Sequence, residues 1–176
     1  GGPSDSSEYA APMARTSDRA GRVVLVTGGT KGVGRGIAQR FDDAGATVVV
    51  CARKPVDDLA PSWQFLADDV RDADAAFTLI DEVVAANGHI DVLVNNAGIT
   101  RDNLLFQMGD DDWATVLQVN LTSAFLVCRA VQKHMVAATY GRILNLRGRS
   151  DIGNRRQSNC PAPPTGHRGP TAPPAA

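Results

Sequence analysis

Between residues 22 and 146 short apolar runs alternate with helical stretches, and that alternation leaves few folds open. Val23-Val24-Leu25-Val26 is a β-branched run that ends in Thr27-Gly28-Gly29, the pattern of a buried strand entering a turn. Val33, Ile37 and Phe41 then recur every four residues until Ala44-Gly45, which predicts a helix carrying them on one stripe. Residues 46–51 and 63–67 read as the second and third strands. Asp72 and Asp74 are candidate caps for a helix marked by Phe77, Ile80 and Val84 and ended by Gly88. Residues 90–94 make a fourth strand, a long helix runs from about Asp111 to Ala138, and residues 142–146 make a fifth. Strands alternating with helices imply parallel strands joined by right-handed crossovers, hence a doubly wound parallel sheet in three α/β/α layers.

Composition narrows the function classes. The 176 residues are 43% hydrophobic, enough for one ordinary globular core and too few residues for a second independent domain. No uninterrupted apolar run reaches the roughly 20 residues of a membrane span, and the N-terminus lacks a signal-peptide core. Cys51, Cys128 and Cys160 are odd in number and widely spaced, which fits neither a disulfide framework nor a zinc cluster. The expectation is a soluble cytoplasmic protein with no membrane partner. Residues 1–20 read as a flexible leader and residues 21–146 as the folded domain. Residues 147–176 carry five Arg, one Asp and six of the ten prolines, and read as a disordered basic tail. No aromatic side chain is interleaved there for base stacking, so no nucleic-acid partner is expected. The long helix is apolar on several faces, from Trp113 and Val116 to Phe125 and Met135, which suits a partner subunit on one of them.

The turn Thr27-Gly28-Gly29-Thr30-Lys31-Gly32-Val33-Gly34 lies between the first strand and the first helix. A phosphate site wants glycine there, because the backbone must turn sharply and approach the ligand with no Cβ in the way. The helix start then offers unpaired N–H groups and partial positive charge to a pyrophosphate. The second strand ends Val50-Cys51-Ala52-Arg53-Lys54, with no acid to hold a ribose 2′-hydroxyl until Asp57. Arg53 can instead donate two hydrogen bonds to a 2′-phosphate, with Lys31 as a second cation, so the pattern favours NADP(H) over NAD(H).

Thr27-Gly28-x-x-x-Gly32-x-Gly34, Asp69-Val70, Asn95-Asn96-Ala97-Gly98 and Asn120 occur in this order, and together they resemble the short-chain dehydrogenase/reductase family. The resemblance covers residues 22–146 and implies a Rossmann-like NAD(P)-binding domain whose further C-terminal strands and helices are missing here. It implies that Asp69 and Val70 hold the adenine, that Asn96, Ala97 and Gly98 close on the cofactor, and that Asn120 orders a proton-relay water. The stretch from Asn96 to Leu105, followed by Asp110-Asp111-Asp112-Trp113, is similar to a narrower group, the 3-oxoacyl-[acyl-carrier-protein] reductases of fatty-acid biosynthesis. That likeness implies NADPH-dependent reduction of a 3-oxoacyl thioester or related ketone, and a homo-oligomer for the intact family form.

Family members protonate the carbonyl with a tyrosine, lower its pKa with a lysine four residues later, and steady the substrate with a serine. The tyrosines here are Tyr9 and Tyr140, followed four residues on by Met13 and Leu144, and Lys31, Lys54 and Lys133 all precede the fifth strand. Ser150 falls late for the catalytic serine. The segment from Gly153 to Asn159 is similar to the one that precedes the family tyrosine, and on that register Cys160 and Pro164 occupy the Tyr and Lys positions. The chain as written is therefore expected to be nearly inactive. Two origins stay open: a reading frame that slips near Arg147 and again after Asn159, or a pseudoenzyme or truncated paralogue. No His/Cys/Asp spacing suggests a metal. His89 and His134 read as structural, Cys51 and Cys128 as small hydrophobes, and the three consecutive acids Asp110, Asp111 and Asp112 as the cap of the long helix.

Overall fold

The computed structural model describes residues 20–101 and 107–146; the leader up to residue 19, the tail with Ser150, Cys160 and Pro164, and residues 102–106 lie outside them. Five strands form one parallel sheet: β1 (Val23–Thr27), β2 (Thr47–Ala52), β3 (Gln64–Ala67), β4 (Val92–Asn95) and β5 (Arg142–Asn145). Their spatial order is β3-β2-β1-β4-β5. The chain winds outward from β1 in one direction, then returns and winds outward in the other, so the expected doubly wound topology is what forms.

Successive residues of a strand face opposite sides, and here both sides are covered. Val23, Leu25, Val49, Cys51 and Leu93 pack beneath α2 (Ala73–Asn87) and α4 (Ser123–Ala137). Val24, Val26, Val48, Val50, Val92 and Val94 pack beneath α1 (Gly32–Asp42), with Phe41 and Trp63 closing that side. Burial on two faces is why β1 and β2 read as continuous apolar runs.

The helices depart from the sequence expectations in three places. On α1 the buried residues are Gly34, Ala38 and Phe41, while Val33 is 67% exposed. A four-residue repeat drifts by about 40° per step around a helix of 3.6 residues per turn, so Val33 leaves the stripe that Phe41 occupies. On α2 the buried row is Ala76, Leu79, Ile80 and Val83, with Phe77 and Val84 at its margin. Asp72 caps α2 by accepting from the Ala75 N–H at 2.8 Å, and Gly88 closes it at φ +82°. The long helix is continuous from Asp110 to Ala137, in the order α3 (Asp110–Leu117), a π turn (Gln118–Thr122) and α4. Gly109, with no side-chain bond, takes its N-cap position; the three Asp residues stand inside the first turn and act on the helix dipole instead. By length and composition this 28-residue helix would pass for a membrane span. Leu126, Val127, Ala130, Val131 and Met135 are instead buried in the core, and Phe125 and Val136 are exposed.

At the N-terminal ends of the strands a buried carboxylate ties three of them together. Asp91 accepts from the Val23 N–H at 2.8 Å and from Arg22 at 2.8 Å, and His89 Nε2 lies 3.0 Å away. Its own backbone donates to the Val23 carbonyl and accepts from the Arg142 N–H. His89, read from the sequence as structural, is thus one partner of Asp91. His134 likewise meets Asp81 at 3.1 Å, beside Lys133, in a bridge from α4 to α2.

Candidate functional site

The sheet order reverses between β1 and β4, and in an open α/β sheet the crevice beyond the carboxyl ends of strands at such a point is where ligands bind. A cavity of about 370 Å³ opens there. Gly28, Thr30 and Lys31 line it from the turn after β1, Ala52 and Arg53 from the end of β2, and residues 68–71 from the loop after β3. Residues 97–101, after β4, and Thr115 with Val119 from the long helix complete the wall.

Of the residues singled out from the sequence, Gly28, Thr30, Lys31, Arg53, Asp69, Val70, Ala97 and Gly98 meet around this one cavity. Thr27, Gly32, Val33, Gly34, Asn96 and Asn120 are not among its lining residues, and four of them brace it from behind. The Thr27 hydroxyl accepts from the Asn96 N–H at 3.1 Å and the Ala97 N–H at 3.0 Å. The Asn96 amide donates to the carbonyls of Thr27 and Gly28, both at 3.0 Å. Gly28 sits at φ +63°, with Ala97 Cα 3.0 Å from where a Cβ would be, and a Cβ on Gly34 would strike the Asn96 amide. The glycine turn and the loop after β4 are therefore one packed unit.

Asn120 sits in the π turn, where the Ser123 N–H reaches back five residues to the Gln118 carbonyl. Such turns interrupt the regular ladder and recur at functional sites. The Asn120 side chain spends both polar atoms on Ile99, accepting from its N–H at 2.8 Å and donating to its carbonyl at 2.9 Å. It fixes the loop after β4 to the helix.

Electrostatically the cavity is divided. Lys31 and Arg53 stand on its wall, as do Asp68 and Asp69. Arg71 grips the Asp69 carboxylate with Nε and NH2, holding its pKa below the ordinary carboxylate range, while burial raises that of Asp68. Asp68, Arg71, Arg101, Thr115 and Val119 are wall residues that the sequence reading missed. A signal existed for Arg71, whose charge follows Asp69 at a spacing of two within a polar turn.

Helix α1 starts with no side-chain cap and no acid in its first turn. By contrast α2 has Asp72 and Asp74, and α3 has three Asp residues. The N-terminal N–H groups of α1 and its partial positive charge thus remain available to an anion, as a dinucleotide pyrophosphate requires. Among the described residues no group of three or more His, Cys, Asp or Glu could hold a metal ion.

Cys51 also touches the cavity, yet burial pushes its thiol up to about 12, with Asp68 and Asp69 adding to the effect. Burial raises the Cys128 thiol as well. At pH 8 the Cys51 thiol, pushed up to about 12, is thiolate in only ~1 molecule in 10⁴. Alkylation of the native chain with iodoacetamide at pH 8 should leave Cys51 and Cys128 unmodified until denaturant is added. Peptide mapping that finds Cys51 labelled within minutes would contradict this burial.

Comparison with known proteins agrees with this geometry. The family model for short chain dehydrogenase matches residues 22–161. The 3-oxoacyl-[acyl-carrier-protein] reductase FabG of Haemophilus influenzae is 39% identical over 147 residues, covering 79% of this chain and 60% of that protein. FabG of Escherichia coli is 35% identical over 153 residues, covering 83% and 63%. The crystal structure of a putative short-chain alcohol dehydrogenase from Sinorhizobium meliloti superposes with a TM-score of 0.79 at 32% identity, over 86% of this chain and 64% of that one. The chain thus spans about three fifths of the length of the curated relatives it matches. Because the matched segment runs from the first strand past the last described one, the chain belongs to the short-chain dehydrogenase/reductase family of oxidoreductases.

Proposed function

We propose that residues 21–146 form a cofactor-binding unit that takes NADP(H) in preference to NAD(H). In this reading the pyrophosphate rests on the turn from Gly28 to Gly34 and the start of α1. The adenine lies against Asp69 and Val70, the 2′-phosphate between Lys31 and Arg53, and the nicotinamide against Ala97 and Gly98. The observation that carries it is the presence of Lys31 and Arg53 on the wall of the same cavity as Asp69, at a strand end with no acid to receive a ribose hydroxyl. Fluorescence titration tests it. Arg53→Ala should weaken NADPH binding about tenfold, the value of one charge-assisted contact, and leave NADH binding within twofold. Equal losses for the two cofactors would contradict the assignment.

The activity proposed for the intact family form is reduction of a 3-oxoacyl thioester or related ketone, with NADPH supplying hydride and a protein acid supplying the proton. The relatives' names and the likeness in residues 96–113 support that substrate class. This chain holds the cofactor half of the machinery without the proton donor. Tyr140 lies at the opposite end of the sheet, under the Arg22 guanidinium at 4.0 Å, and Lys133 pairs with Asp81. Loss of a positioned acid typically costs ~10²–10⁴ in rate. NADPH should therefore bind without measurable oxidation in the presence of a 3-oxoacyl thioester. Turnover at the rate of an intact reductase would overturn this part of the reading. The exposed Phe125 and Val136 of α4 support the further reading that the intact form is a homo-oligomer.

A further inference from the structure

The π turn places one side chain, Val119, in the cavity wall. Its two sequence neighbours, Gln118 and Asn120, flank it on opposite sides, as successive residues of any helix do. Each ends on a different loop. Gln118 Nε2 donates to the Arg71 carbonyl at 2.9 Å, while Asn120 holds the backbone of Ile99 at 2.8 and 2.9 Å. These loops, residues 68–71 after β3 and residues 97–101 after β4, are separate parts of the cavity wall. The contact from Gln118 is also continued. Arg71 turns back on Asp69, donating from its backbone N–H at 3.2 Å and from its guanidinium to both carboxylate oxygens.

We propose that Gln118 is a positioning residue for the adenine end of the bound nucleotide. By holding the Arg71 carbonyl it fixes the Arg71–Asp69 clamp, and the π turn thereby sets the separation of the two loops that grip the dinucleotide at its opposite ends. This deepens, and rests on, the reading of the cavity as a nicotinamide dinucleotide site. Gln118 is exposed to solvent and touches no ligand in this scheme; its effect passes through Arg71.

The test removes the donor and then returns one. Gln118→Glu sets an acceptor against the Arg71 carbonyl, whereas Gln118→Lys returns a donor. In the full chain, calorimetric titration with 2′,5′-ADP should show binding weakened about three- to tenfold by Gln118→Glu and recovered by Gln118→Lys, as expected for one partly exposed hydrogen bond. Amide hydrogen exchange of the ligand-free chain supplies a readout independent of any nucleotide. Gln118→Glu should speed exchange at Arg71 and Asp72 severalfold and leave residues 97–101 unchanged. Equal acceleration of both loops would mark a general loosening and overturn the proposal. So would wild-type affinity for 2′,5′-ADP in Gln118→Glu, or failure of Gln118→Lys to recover it. If the unsubstituted chain binds neither 2′,5′-ADP nor NADPH, the cofactor reading fails and takes this inference with it. If it binds both and Gln118→Glu is indifferent, this inference alone fails.

Discussion

Gly34→Ala is expected to abolish useful cofactor binding while leaving the sheet intact. The added methyl would strike the Asn96 amide, which is itself bonded to the Thr27 and Gly28 carbonyls, and lie 2.5 Å from the Gly28 carbonyl oxygen, a backbone atom. Asn96 would have to give up hydrogen bonds to the carbonyls of Thr27 and Gly28, and the glycine turn would separate from the loop after β4. Overpacking of this kind costs about 1–3 kcal/mol, and each stranded polar group about 1–3 more. A turn displaced by even a few tenths of an ångström misaims its N–H groups at the pyrophosphate, so NADPH affinity should fall on the order of a hundredfold. Titration by NADPH fluorescence reads the affinity and circular dichroism checks that the fold persists. Unchanged affinity in a folded variant would mean that the packed unit of turn and loop does not shape the site.

Asp91→Ala should produce the opposite pattern, a large loss of stability with little change in binding. Its carboxylate is buried at the end of the sheet away from the cavity, where it satisfies the Val23 N–H and meets Arg22 and His89. Alanine strands the buried Val23 donor and removes the acceptor that Arg22 and His89 share. Breaking such a buried network costs roughly 2–5 kcal/mol, a large part of the 5–15 kcal/mol that holds an ordinary domain. Urea unfolding should show that loss, and Asp91→Asn, which keeps an oxygen for Val23, should lose less. NADPH affinity measured below the unfolding transition should stay within twofold. A stability loss under 1 kcal/mol would show that the clamp is not needed.

The parts of the molecule that were legible in the sequence are those governed by short-range rules. The apolar runs of β1, β2 and β4 were legible because both faces of these strands are covered, and Asp72 and Gly88 bounded α2 through local hydrogen-bond and dihedral preferences. Residues that meet the cavity through their own loop, such as Gly28, Lys31 and Arg53, were legible for the same reason, whereas Asp69 was expected there only from the family resemblance. What stayed hidden depends on contacts between distant segments. The amide of Asn96 reads as a ligand contact until β4 is laid beside β1, and only then is it seen to serve the glycine turn. The π turn leaves no mark in the periodicity of the long helix, so Gln118 and the loop it reaches are invisible from spacing. The Val33 stripe failed because a four-residue repeat and the true helical period diverge within two turns.

On the function proposed above, this chain keeps a nicotinamide-nucleotide site although its 176 residues contain no Tyr-x-x-x-Lys. The most direct test is an equilibrium titration of the full chain with NADPH, followed by nicotinamide fluorescence, with NADH titrated in parallel. Saturable binding at one site per chain, at least tenfold tighter for NADPH, is the predicted result. Fluorescence that rises only in proportion to added NADPH, with no saturation, would contradict it.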